Sequence, residues 1–507
     1  MLLGAVIKQG LKLSLRVPRR VNSPVQLQRR ELKKLLKKAA LTSFGKHYRF
    51  DEILNEQNIN NTFREKIPLH TYNTMFEYWW NRCLNEEENV CWPGHIKYFA
   101  LSSGTSESAS KHIPVTREMV KALRKATIRQ MLTLSRYDLP VTFFEKGILW
   151  LGGSTQLQRQ GGYYEGDVSG ISARRVPVWF QRYYKPGKKI SKEKDWNVKM
   201  DEIVKQADKW DIGLITGVPS WIQILMEKVI EHYKLKTIHD IWPNLQVYAH
   251  GGVSFEPYRK SFEKFFAHPV HFIEMYPASE GFIAFQTKPD VKYMKLILNN
   301  GIVYEFIPFD EINFDQNGEV MPGAKALFIN EVEEGKDYAL VMSTCSGAWR
   351  YIIGDTIRFT DTKRAEIIIS GRTKHFLSMV GEHLSVDNMN RAVEMLSHEF
   401  RVEIPEFTVA GINDNDLFSH QWYLGVKGGN LDKEQAAKFL DAKLCELNDD
   451  YAVERKSALK NLFVEFIHPE RFYEFMQQKG RMGGQNKFPR VMKSTQHEEW
   501  KTFLNAR

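Results

Sequence analysis

The chain has 507 residues, of which 43% are hydrophobic and 26% charged, and it carries a formal net charge of +10. Its length exceeds one ordinary core and predicts two or more lobes, and the composition is that of a folded, water-soluble protein rather than a disordered one. No apolar run approaches the roughly 20 residues needed to span a bilayer, and the basic residues are spread along the chain, so the charge alone assigns neither nucleic acid nor a membrane as partner.

In the first twenty residues, Leu2, Leu3, Val6, Ile7, Leu11, Leu13 and Leu15 are interleaved with Lys8, Lys12, Arg16, Arg19 and Arg20. Basic residues interrupt the apolar ones and no small-residue cleavage site follows. This predicts a helix packed on its own domain rather than a secretory signal; a transit peptide or membrane-surface helix is the alternative. Leu27, Leu32, Leu35 and Leu36 then line one helical face. Beyond residue 100, short apolar runs at 148–153, 212–218, 245–252, 271–276 and 338–344 alternate with helical stretches such as Thr116 to Leu134 and Pro219 to Tyr233. Strand runs bounded by glycine and alternating with helices predict an α/β layered fold with some parallel sheet.

After Ile367-Ile368-Ile369-Ser370-Gly371-Arg372 the pattern changes to strands at Phe407 to Gly411 and Trp422 to Val426, a helix from about Asp432 to Asn448, a strand at Leu462 to Ile467 and a helix at Pro469 to Gln478. That is a smaller α+β unit, and the boundary falls near Gly371–Lys374, giving domains 1–370 and 371–507. Cys83, Cys91, Cys345 and Cys445 form no C-x-x-C pair, which favours buried free thiols in a reducing compartment, the cytoplasm.

Four segments carry chemistry. Ser102-Ser103-Gly104-Thr105-Ser106, followed by Lys111, can turn tightly and aim backbone N–H groups, hydroxyls and an ammonium at phosphate oxygens, without Walker spacing. In Tyr276-Pro277-Ala278-Ser279-Glu280, at the end of a strand run, Tyr276 offers an aromatic face and Glu280 a hard oxygen ligand for magnesium; a strand followed by a helix capped by Ser279 is the plain alternative. In Trp349-Arg350-Tyr351-Ile352-Ile353-Gly354-Asp355, an aspartate after a glycine in a turn can accept both ribose hydroxyls, and an arginine nearby, Arg350 or Arg372, can answer sugar or phosphate oxygens. The stretch Gly480 to Arg490 has the glycines, Lys487 and Arg490 of an arm that brings cations to an anion.

Together with Phe376-Leu377 and Gly381-Glu382-His383-Leu384, and ending in Gly483-Gly484-Gln485-Asn486-Lys487-Phe488-Pro489-Arg490, these segments resemble in order the Gretchen Hagen type acyl acid-amido synthetases, an auxin-responsive family within the acyl-adenylate-forming, firefly-luciferase-like group. The likeness runs from about Thr42 to Arg490. Departures are Glu107 to Ser110 where a further glycine is usual, Ala278 in place of serine, and a longer path from Arg350 to Gly354-Asp355, so that Arg350 would have to serve from the position before the tyrosine.

The resemblance implies a large N-terminal domain of mixed sheets and helices with a smaller, mobile α+β C-terminal domain. It implies ATP and magnesium as cofactors, with Ser102, Ser103, Gly104, Thr105, Ser106 and Lys111 near the phosphates, Tyr276, Ser279 and Glu280 near adenine and metal, Asp355 on the ribose, Arg372 at the hinge and Lys487 at the transition state. The acyl acid is expected between Gly217–Trp221 and Tyr248–Val253, touching Val218, Trp221, Gly251 and Gly252. The implied reaction is adenylation of a carboxylic acid and transfer of the acyl group to an amine, an amino acid, with no nucleic acid or integral membrane as partner. A CoA ligase sharing the first step and a non-catalytic basic binding protein are the rival readings.

Overall fold

The computed structural model describes residues 8–10, 22–102, 111–174, 176, 180–253, 255–315, 318–373, 376–377, 384–414, 417–428, 431–448, 451–452, 455, 459–480 and 487–506. Residues 8–10 are helical, and Lys8 Nζ donates to the Leu139 carbonyl at 2.5 Å. Ser23 and Gln26 exchange side-chain-to-backbone bonds in a capping box, with Pro24 in the first turn, and so start the helix Pro24–Ala39. Its leucines face the core. On the same side Gln28 donates to the carbonyls of Leu298 (2.8 Å) and Ile302 (3.1 Å) and accepts from Tyr304 N–H (2.7 Å), while Glu31 accepts from Gly301 N–H (2.9 Å). These buried side chains satisfy backbone groups that a sheet-edge turn would otherwise leave open.

An 11-stranded sheet runs edge to edge through Ile302–Pro308, Asp337–Thr344, Tyr351–Asp361, Glu366–Arg372, Met294–Leu296, Gly281–Phe285, His271–Ala278, Val247–Gly251, Ile212–Gly217, Gly147–Trp150 and Tyr184–Lys185. From His271–Ala278 towards Tyr184–Lys185 every pairing is parallel; on the other side every pairing is antiparallel. The strand His271–Ala278 is therefore where the sheet changes character, and open sheets collect ligands at the ends of such strands. Connections decide the difference: Thr116-capped Arg117–Thr133 and Pro219–Tyr233 are among the helices that cover the sheet, whereas the later strands are joined by turns.

Helix follows the parallel strand Ile212–Gly217 as the periodicity predicts, but none follows His271–Ala278. Ser279 and Glu280 instead form a two-residue turn into Gly281–Phe285, with Gly281 paired to Ala278. Gly281 (φ +154°) makes the tight return possible, so Ser279 caps nothing.

A second, four-stranded sheet pairs Lys111–Val115, Tyr98–Ser102, Tyr163–Gly166 and Gln158–Gln160. A third is built from Leu459–Ile467, Leu417–Lys427, Glu403–Asp414 and Val491–Met492. On it Phe407, Val409, Trp422 and Leu424 face one apolar cluster and Ala410 and Tyr423 another, the period-two alternation of a sheet covered on both faces. Helices Val386–Phe400 and Lys433–Leu447 fill the first face; Glu470–Gln478 and Ser494–Asn505, through Phe472, Phe475 and Trp500, fill the second. Two of these strands are longer than their apolar runs predict, because the antiparallel register from Glu403↔Lys427 to Asp414↔Leu417 carries polar residues along with it. No described helix is long and apolar enough to cross a membrane.

Candidate active site

The turn at 279–280 presents Glu280 beside the strands Tyr351–Asp361 and Glu366–Arg372. Asp355 and Arg372 are direct partners in that antiparallel pair, and Arg372 Nε lies 3.0 Å from Asp355 Oδ1. Asp355 Oδ2 accepts the Tyr276 hydroxyl at 2.5 Å. Asp355 therefore sits in a strand, not in the turn that its Gly-Asp sequence suggests; the positive φ of Gly354 (+89°) bends that strand locally instead. Tyr276 is packed in the core, 5% exposed, so it braces Asp355 rather than offering an open ring face.

Glu280 is 6% exposed, and burial pushes its carboxyl up to about 7, helped by the Asp355 charge and opposed by Lys111 and Arg372. Tyr351, also buried, hydrogen-bonds Glu280 through its side chain, and its hydroxyl is pushed up by burial and by that charge. Tyr351 thus joins the site through the motif position beside Arg350.

Arg350 does not. It is buried and turned away, with Nε 3.1 and 3.0 Å from the two carboxylate oxygens of Glu305 and NH1 donating to the carbonyls of Arg64 (2.9 Å) and Ile67 (2.5 Å). Of the two candidate arginines only Arg372 reaches Asp355.

Lys487 enters from the C-terminal sheet's neighbourhood and donates its ammonium to the Gly252 carbonyl. Lys487 keeps solvent-exposed surface; partial desolvation, with Arg372 adding like-charge repulsion and Asp355 opposing, lowers the group to about 8. The exposed surface of the residue leaves it able to hydrate in part, which weakens the effect of that shift on stability.

Gly252 has φ +92°, and a Cβ on it would lie 3.1 Å from Lys487 Nζ and 3.6 Å from Val218 Cγ2. A Cβ on Gly251 would lie 2.3 Å from the Met275 carbonyl oxygen. The left-handed backbone requires glycine at 252, and close approach to the neighbouring strand requires it at 251. Val218 precedes helix Pro219–Tyr233, and Trp221 packs edge-on to Trp196 (5.1 Å) and near Tyr473 (6.4 Å). Its indole N–H is buried with no partner among the described residues, an orphan donor of the kind that binding sites hold.

Ser103, Gly104, Thr105 and Ser106 lie outside the described residues, as do Gly381, Glu382, His383 and the glycines 483 and 484 of the C-terminal motif. The flanks of the 103–110 segment are described: Ser102 and Lys111 are antiparallel partners, and Lys111 Nζ stands 5.3 Å over the Tyr72 ring. Ser279 is buried in the hairpin turn beside Glu280.

Sequence reasoning passed over Tyr258 and Glu406, which bind the Lys487 segment to the rest of the fold; no local motif marks either. A cleft of about 400 Å³ lies elsewhere, walled by Tyr164, Arg174, Tyr184, Lys188 and Lys192 among others. It holds none of the converging groups, and chemistry rather than volume places the site.

The described residues contain no cluster of three or more acidic, histidine or cysteine side chains suited to a metal. Magnesium brought by a nucleotide needs one or two carboxylates beside the phosphates, and the buried Glu280 fits that requirement.

Comparison with known proteins gives the same frame. Residues 17–204, 295–368 and 387–496 match, in order, the GH3 family N-terminal, central and C-terminal domains. Indole-3-acetic acid-amido synthetase GH3.2 of Arabidopsis thaliana is 21% identical over 449 residues, 75% of this chain and 79% of that one. Probable indole-3-acetic acid-amido synthetase GH3.11 of Oryza sativa subsp. japonica is 30% identical over 160 residues, 29% of this chain and 24% of that one. The solved GH3.15 acyl acid amido synthetase has a TM-score of 0.75 at 17% identity, covering 95% of this chain and 93% of that one. A 2-hydroxyisobutyryl-CoA ligase holding 2-HIB-AMP has a TM-score of 0.59 at 12% identity, over 96% and 97% of the two chains. These likenesses show the α/β adenylate-forming fold expected from the sequence. With three domain matches that together take in most of the sequence, the chain belongs to the GH3 family.

Proposed function

We propose that the protein is an ATP-dependent, AMP-forming acyl acid-amido synthetase, working as a unit of residues 1–370 closed by a unit of residues 371–507. One observation carries the reading: Glu280, Asp355, Arg372 and Lys487 converge from four separate segments, with Arg372 paired to Asp355 at 3.0 Å and the charges of those two acting on both Glu280 and Lys487. Family membership and the amido synthetases among its relatives support it.

Asp355, held by Tyr276 and Arg372, accepts the ribose hydroxyls. Ser102 and Lys111 flank the phosphate loop, and Glu280 would hold magnesium, which would supply charge neutralisation and Lewis acidity at the phosphates. The acyl carboxylate, seated by Val218, Trp221, Gly251 and Gly252, attacks the α-phosphorus; the bond to the bridging oxygen breaks and pyrophosphate leaves. Lys487, protonated below about 8, neutralises charge building on the α-phosphate. An amine then attacks the acyl carbon, a proton is lost from nitrogen, and AMP departs. Rotation of the C-terminal unit between the two steps would give the amine access. Free thiols at Cys83, Cys91 and Cys345 accord with a cytoplasmic setting.

Acid-dependent ATP–pyrophosphate exchange over a panel of aryl, indole and fatty acids tests the first step. AMP release that requires an amino acid supports amide formation; release that requires CoA instead sinks it in favour of a thioester ligase.

The pH profile of exchange tests the two named groups. Glu280 must be ionised, so kcat/KM should rise through about 7; Lys487 must be protonated, so it should fall through about 8. Glu280→Gln should erase the acid limb, and Lys487→Arg should move the alkaline limb beyond the measured range.

A further inference from the structure

Lys487 is placed by a short, firmly held segment. One residue on, Phe488 is buried against Phe472 (4.8 Å) and Trp500 (5.2 Å). Arg490, three residues on, donates to Glu406 Oε2 (2.7 Å) and to the Phe407 carbonyl (2.9 Å), with its guanidinium 4.5 Å over the Phe407 ring; its own carbonyl accepts from Val409 N–H at 3.0 Å. Three residues span at most about 10 Å, so the Lys487 backbone cannot stray far from this anchor.

The anchor is tied to the N-terminal unit through one carboxylate. Glu406, 4% exposed, accepts from Arg490, from the Tyr473 hydroxyl (3.4 Å) and from the hydroxyl of Tyr258. Tyr258 is 1% exposed on helix Glu256–Phe265, six residues beyond Gly252, the residue whose carbonyl receives Lys487. The arm thus meets the same N-terminal segment twice. Beside this contact, Ser261 donates to Glu403 Oε2 (3.1 Å), Lys264 pairs with Glu403, and Lys260 donates to the Ser397 carbonyl (2.7 Å).

We infer that Tyr258, Glu406 and Arg490 are positioning residues: the Tyr258–Glu406–Arg490 chain seats the C-terminal unit on helix Glu256–Phe265 so that Lys487 is held against the Gly252 carbonyl for adenylation. The inference rests on the proposed role of Lys487. The division of groups suits a seat that must also release. Glu406, Arg490 and Tyr473 all belong to the C-terminal unit, so lifting it leaves that buried pair intact and takes from Glu406 only the neutral hydroxyl of Tyr258. Separating two buried charges would cost far more. Away from the hinge, the ion pairs Lys264 with Glu403 and Lys427 with Glu227 also cross, and each has a lysine that water can re-solvate.

The test uses full-length Tyr258→Phe and Glu406→Gln proteins beside wild type and Lys487→Ala. ATP–pyrophosphate exchange should drop about 10- to 100-fold in both seat variants, mainly in kcat, since a misplacement near 1 Å has effects of that order. Amide formation from a synthetic acyl-adenylate and an amine should be retained. The second readout needs no acid: competitive labelling of amines across pH, read at Lys487 by mass spectrometry. The wild-type midpoint near 8 should move towards 10.5 in both variants as the ammonium leaves the enclosure shared with Arg372 and Asp355. An unmoved midpoint, or equal losses in both half-reactions, overturns the seat. Full exchange by Lys487→Ala overturns the reading beneath it, whereas normal loss in Lys487→Ala with unaffected Tyr258→Phe overturns only the seat.

Discussion

Lys487→Ala should lower the rate of acid-dependent ATP–pyrophosphate exchange by about 10²- to 10³-fold, the effect of removing one preorganised charge or donor from a developing anion. The fold should not suffer. Lys487 touches the N-terminal unit through the Gly252 carbonyl, and its lowered proton affinity means that the folded state holds the charged form less readily than the unfolded chain does. The sign follows from linkage: a lysine depressed from 10.5 to about 8 contributes stability only above 10.5 and loses it as pH falls through 8, so at pH 7 it opposes folding. The alanine protein should therefore unfold at the same temperature as wild type or a higher one, in the same buffer at pH 7. Lost exchange together with a lower Tm would mean that the lysine holds structure rather than serving chemistry. The combination expected here, less activity with no less stability, is the mark of a charge kept for function.

Arg350→Ala should do the reverse. Arg350 and Glu305 form a buried ion pair, NH2 to Oε1 2.9 Å, with side chains 5% and 1% exposed. Truncation leaves Glu305 uncompensated and also frees the carbonyls of Arg64 and Ile67, a change of about 3–5 kcal/mol for a broken buried pair. Glu305 is already pushed up by burial against the pull of Arg350, and without the arginine it should take up a proton. Urea unfolding should show the midpoint falling, with part of the loss recovered at lower pH, where the carboxyl is neutral. A Glu305→Gln, Arg350→Met double variant should recover most of it at neutral pH. The exchange activity of the folded fraction should match wild type, because no site group contacts Arg350; a selective loss of ATP affinity would return Arg350 to the nucleotide.

The contrast shows which parts of the site could be read from the sequence. Glu280, Asp355 and Lys487 were legible because each sits in a short run whose neighbours share its purpose. Arg350 was misleading for a geometric reason: it stands just before the strand Tyr351–Asp361 with a left-handed backbone (φ +44°), and its side chain pairs with Glu305 instead of Asp355, so adjacency in a motif did not mean a shared face. The turn at Ser279 was ambiguous because a small polar residue after a strand suits either a helix cap or a tight hairpin, and the choice depends on Gly281 and on a partner strand that pairs only in the folded sheet. Tyr258 and Glu406 were beyond reach: they are 148 positions apart and neither residue type signals the other. The parallel half of the sheet was read well from its apolar runs, whereas the length of Glu403–Asp414 was set by its partner strand.

The helix Pro24–Ala39 leaves the ribosome early, yet the groups that Gln28 and Glu31 must bind lie 270 to 276 residues later. At synthesis rates of about 5–20 residues per second, that gap lasts roughly 14 to 55 s. Throughout it, the helix can pack on Phe50–Asn55 and Ile59–Lys66, which follow it at once, but the side that carries Gln28 and Glu31 lacks its cover. A nascent chain stalled before residue 304 should therefore be a good client for a chaperone holding that helix, and one released beyond it should not.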